Sequence, residues 1–118
     1  MPVGTFLTHL QDVLDRFHQI AVFPWPDRTC SENVPRKVLS SALLKWGRVL
    51  QAIKRYFVDP KDRETLAALD DLEHYGFELV GMIETEWVAG NRIDPPSATI
   101  MAKRAQIQES LAILQSRV

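Results

Sequence analysis

An all-α, four-helix antiparallel bundle is the fold class this chain predicts, and three observations lead to it. Apolar residues recur every three to four positions through four segments. All seven prolines fall at the borders of those segments. The link between the second and third segments is so short, Asp59-Pro60, that the two must run antiparallel side by side. At 118 residues the chain suits one domain, spanning 1–118, able to bury roughly two-thirds of its unfolded surface.

The first helix is expected over 5–22. Thr5 is placed to cap it, and Phe6, Leu10, Val13, Leu14, Phe17, Ile20 and Ala21 make one stripe. The loop Phe23-Pro24-Trp25-Pro26-Asp27 ends it. The second helix, 35–58, begins with Asn33 near the cap and Pro35 in the first turn, where its fixed φ suits a helix and its missing N–H costs nothing. Its apolar face is Val38, Leu39, Ala42, Leu43, Trp46, Val49, Leu50, Ile53, Tyr56 and Phe57. Asp59-Pro60 stops this helix and opens the third, 60–89, with Asp59 as cap and Asp62 and Glu64 favourable in the first turn. The third stripe is Leu69, Leu72, Gly76, Leu79, Val80, Ile83 and Trp87. A mid-helix glycine costs about 1 kcal/mol relative to alanine, so Gly76 is expected to permit a close helix crossing. Gly81 points away from that stripe without evident reason. Gly90-Asn91 is the stop signal, and Asp94 or Ser97 caps the fourth helix, 97–117, with Ile100, Ile107, Leu111, Leu114 and Val118 inward.

Charge is segregated. Arg36, Lys37, Lys45, Arg48, Lys54 and Arg55 lie between Arg36 and Val58 with no acid among them, whereas nine acids against Lys61 and Arg63 fill 59–86. The net charge is only −1, so the chain is not a whole-surface nucleic-acid binder. By helical phase Lys37, Arg48 and Arg55 stand opposite the apolar face of the second helix, with Lys45 beside them. Folding the hairpin about Asp59 brings Lys45 toward Glu73 and Arg36 toward Glu84, pairs that set register more than stability.

The sites for chemistry are thin. Two Asp-x-x-His pairs, Asp15 with His18 and Asp71 with His74, invite comparison with di-metal carboxylate bundles. Helix two has no acid to complete such a cage, and Asp71, His74 and Glu78 face away from the core stripe. Cys30 is the single cysteine, so no intrachain disulfide forms, and no histidine is placed to activate it. No nucleophile elbow, phosphate loop or dinucleotide fingerprint is present. The expectation is therefore no catalytic residue, no metal and no cofactor. The absence of Lys or Arg before Arg16 argues against a secretory leader, and a reducing, cytoplasmic setting fits.

What remains is surface. Trp25 between two prolines either plugs the bundle end or anchors a partner. Arg104 within the fourth stripe needs a paired carboxylate or the edge of an interface, and the three-four spacing around it also suits a homodimer seam. The expected role is a small, soluble, non-catalytic protein-interaction or regulatory module. Its candidate partner-binding residues are Trp25, Lys37, Lys45, Arg48, Arg55, Asp71, His74, Glu78 and Arg104. No membrane is involved. One alternative is nucleic-acid binding along the basic line, where Leu44 is the only large apolar neighbour and no aromatic stands ready to stack. The other is a helical-bundle metal or nucleotide-processing enzyme using the carboxylates of helix three.

Overall fold

The structure, a computed structural model, describes residues 2–23, 34–91, 93 and 96–118. Four helices account for nearly all of them: α1 (Val3–Val22), α2 (Val34–Phe57), α3 (Arg63–Val88) and α4 (Ala98–Arg117). Each packs on the next, and α4 returns to α1. Paired contacts show every neighbour to be antiparallel. Phe6 stacks against Phe57 while Phe17 meets Trp46. Arg36 pairs with Glu84 while Lys54 pairs with Asp70. Lys103 reaches Glu78 while Arg117 reaches Glu64. Gln11 and Gln108 exchange amide hydrogen bonds while Arg104 meets Asp15.

The predicted stripes form the core. Leu10, Val13, Leu14, Phe17, Ile20 and Ala21 of α1 are buried, joined by Leu7, while Phe6 is only half-buried. All seven predicted positions of α3 are buried. At the centre of the α2–α3 seam, the Trp46 indole N–H donates to the Leu72 carbonyl at 2.9 Å. Gly76 sits directly beneath that indole. A Cβ there would lie 2.4 Å from Trp46 Nε1, far inside any contact distance. The close approach expected from the sequence is therefore a slot for one particular side chain. Trp87, equally excluded from water, has no acceptor for its Nε1 among the described residues.

Several predicted boundaries and faces need correction. Thr5 does not cap α1: the helix starts at Val3 behind Pro2, which carries no side-chain cap. Helix three begins at Arg63 rather than at residue 60, and Asp62 caps it. Its carboxylate accepts the Thr65 amide at 3.2 Å and the Thr65 hydroxyl at 2.7 Å, and these two bonds, the hydroxyl's first, hold the Asp62 carboxyl below its ordinary value. Asp59 instead closes the preceding turn by accepting Lys61 N–H at 2.8 Å. The turn centre thus moves beyond Asp59, which shifts the hairpin register. Arg36 still finds Glu84, at 3.7 Å. Lys45, however, turns toward α1, beside Val13 and Arg16, and Glu73 receives Gln51. Tyr56 lies off the apolar face and is 68% exposed, with Arg55 above its ring.

The other ends follow the sequence closely. Ser97 caps α4 through the Ile100 amide. Gly90 closes α3 at φ +79°, with Asn91 N–H on the Glu86 carbonyl and Gly90 N–H on that of Trp87. This is the bond pair of a Schellman stop, which needs a left-handed residue there. Asn33, Asp94, Trp25 and Cys30 lie outside the described residues.

Candidate protein-interaction face

The α2–α3 hairpin has a second, outward side. Its inner positions are taken by Trp46, Leu72 and Gly76, so residues a third to a half of a turn away meet water. On α2 these are Lys37, Ser40, Leu44, Arg48, Gln51 and Arg55, all exposed. On the α2 shoulder of α3 they are Asp70, Glu73, Phe77, Gly81 and Glu84, partly or fully exposed. Two large apolar side chains stand among them: Leu44 is 61% and Phe77 62% exposed. Together with Leu43, Gly47 and Arg48 they line an apolar groove of about 650 Å³ between the two helices, with Gln51 and Glu73 at its rim.

Charge is divided across this groove. Lys37 and Arg48 form no ion pair among the described residues, and both stand on the α2 side. Glu73 and Glu84 stand on the α3 side. Their existing contacts are long, 3.4 Å to Gln51 and 3.7 Å to Arg36. A carboxylate offers about four lone-pair sites, so each retains capacity for another donor. An apolar strip bounded by cations on one edge and carboxylates on the other is the form a protein-binding patch takes: the strip supplies burial, and the edges supply orientation.

The structure separates the sequence-predicted residues into several places. Lys37, Arg48 and Arg55 share the outer line of α2, as their helical phase requires. Lys45 does not join them; it lines a recess with Asp12, Asp15 and Arg16 of α1. Asp71 and His74 are exposed on the far shoulder of α3. There the Glu78 carboxylate is engaged twice, by His74 at 2.9 Å and by Lys103 of α4 at 3.0 Å. Among the described residues no group of three or more His, Cys, Asp or Glu side chains is arranged to hold a metal ion. Arg104 has the paired carboxylate that its stripe position demands, Asp15 at 3.3 Å. The α4 stripe of Ile100, Ile107, Leu111 and Leu114 is the intramolecular seam, buried against the bundle.

Phe77, Gly47 and Glu73 line the groove without being among the site residues the sequence singles out. A signal was available in Phe77, which stands a third of a turn off the core stripe of an otherwise well-ordered helix, and in Gly81 one turn beyond it. No helix among the described residues is long and apolar enough to cross a membrane. No protein-family model matches the chain, and neither curated proteins nor solved structures give a significant match.

Proposed function

We propose that this protein is a small non-catalytic interaction module, of a regulatory kind, whose working surface is the outer face of the α2–α3 hairpin. One observation carries the reading: Leu44 and Phe77, both largely exposed, line an apolar groove with Lys37 and Arg48 on one side and Glu73 and Glu84 on the other. Isolated apolar side chains on a surface are ordinary, but here two converge on one groove with charge sorted around it. Full burial of a large apolar side chain contributes about 1.5–3 kcal/mol. Completing the burial of Leu44 and Phe77 thus supplies an anchor, and the sorted charges steer approach and fix orientation. A reducing, cytoplasmic setting suits a chain whose only cysteine is Cys30.

The test compares three proteins: the wild type, Phe77→Asp, and the charge reversal Lys37→Glu, Arg48→Glu, Arg55→Glu. All three should melt at similar temperatures. Proteins cross-linked to the wild type should be lost from both variants. If every captured protein binds both variants as well as the wild type, the face is merely solvated and the reading fails.

A further inference from the structure

We infer that the groove on the α2–α3 face takes a second copy of this chain, related by a two-fold axis parallel to the two helices. This rests on the interaction reading above and names its occupant.

A two-fold interface must match a surface to itself, residue i to j and j to i. The hairpin face carries both halves of such a match: Lys37 and Arg48 on α2, Glu73 and Glu84 on α3. Two in-plane axes would bring two copies face to face. An axis across the helices lays α2 on α2, setting Lys37, Arg48 and Arg55 against their own kind. An axis along the helices lays α2 of each copy on α3 of the other, setting cations against carboxylates. Charge selects the second.

Register then follows without adjustment. Rotation about an axis parallel to the helices leaves every residue at its own height. Within the chain Gly47 is level with Glu73, and Arg36 is level with Glu84. Across the axis, Arg48 therefore stands level with Glu73 of the second copy and Lys37 with Glu84 of the second copy. Midway between them, Leu44 meets Phe77 of the second copy, so both exposed apolar side chains are covered, twice each.

The same arrangement gives the outward glycines a use. A Cβ on Gly81 would meet nothing within 4 Å, and one on Gly47 would meet only Glu73, at 4.0 Å. Bare backbone beside Leu44 and Phe77 lets the four helices draw close along the seam. The size is also adequate. An α2 of 24 residues is about 36 Å long. Two helices side by side are about 18–20 Å across, giving a footprint of about 650–720 Å² per copy, near the roughly 800 Å² per partner of a standard interface. A reversible dimer of modest affinity is expected.

Sedimentation equilibrium of the full chain over a wide concentration range tests this. The wild type should show a monomer–dimer equilibrium, and Phe77→Asp should remain monomeric. Arg48→Glu alone and Glu73→Arg alone should each weaken dimerisation by about tenfold, because two-fold symmetry applies each change twice. Mixed together, those two variants should form a heterodimer of near wild-type affinity, since every facing pair is again opposite in sign. A strictly monomeric wild type overturns the inference. A dimer that ignores Phe77→Asp, or a mixture that fails to recover, also overturns it. The second result would transfer the contact to another face, such as the outer side of α4 with Met101, Ala105 and Ile113. If the wild type is monomeric yet still captures a protein that Phe77→Asp loses, only the occupant was misassigned. If it captures nothing dependent on this face, the interaction reading falls as well.

Discussion

The two sides of the α2–α3 hairpin use the same materials to opposite ends. Inside, an aromatic ring lies on a glycine: Trp46 fills the slot over Gly76 and gives its N–H to Leu72. Outside, an aromatic ring and two glycines share one face, yet Phe77 is exposed and Gly81 has open space above it. The inner pair is complete within one chain, whereas the outer set is open to water and, on the proposal made above, is half of a contact. A ring beside bare backbone thus has no fixed meaning. What decides it is whether a matching surface is already there.

That contrast has measurable limits. The largest effect should come from Gly76→Ala. Alanine is the better helix former, yet its Cβ would sit 2.4 Å from Trp46 Nε1. Overpacking of this kind costs about 1–3 kcal/mol, read as a lower urea midpoint, and Trp46→Leu in the same chain should recover part of it. The corresponding Gly81→Ala should be neutral or slightly stabilising to the monomer, because nothing lies near its Cβ. Next in size is the difference between the two buried indoles. Trp46→Phe loses packing and a hydrogen bond, whereas Trp87→Phe loses packing only. Chemical denaturation should show the former costing about 1 kcal/mol more than the latter.

Asp62→Ala should have a smaller, pH-dependent effect. Folding depresses the Asp62 carboxyl below 3.8, through the Thr65 hydroxyl and then its amide. The ionised form is therefore favoured by the fold. Its contribution is complete above the unfolded value and disappears as pH falls through the lower folded value. The gap in melting temperature between wild type and variant should be constant near neutrality and should close only in strong acid. Smallest of all, Leu44→Asp and Phe77→Asp should shift stability by no more than about 0.5 kcal/mol, since neither side chain belongs to the core. A large loss of stability in either, measured at concentrations where the wild type is monomeric, would place the groove inside the fold and abolish the contrast.

The bundle and its inward faces were readable because core burial repeats. Seven of seven predicted stripe residues of α3 are buried, since every turn returns the same side to the interior. Boundaries were less so. Asp59, Asp62 and Pro60 offer competing starts to one helix, and the choice turned on which carboxylate could reach Thr65. Side-of-helix errors had a common cause. Lys45 and Tyr56 lie on shoulders, where a few tens of degrees decide between neighbours, and sequence phase alone does not locate α1. The candidate face is half visible in the sequence: its cations follow from the phase of α2, but the groove exists only where α3 brings Phe77 and Glu73 beside Leu44. Trp25 lies outside the described residues, and Asp71, His74 and Glu78 form a separate shoulder tied to α4 through Lys103.

The unmatched state of Trp87 has a spectroscopic consequence. Both indole protons are hidden from water, but only that of Trp46 is given to an oxygen. Hydrogen bonding deshields a proton, so the Trp46 indole signal should lie downfield of Trp87's in a proton–nitrogen spectrum. Their exchange with deuterium reports different events as well. Trp46 is released only when the α2–α3 seam parts, and Trp87 whenever the last turns of α3 open. With nitrogen-15 enrichment, these two of the chain's three indoles become internal reporters, one for its centre and one for the end of its longest helix.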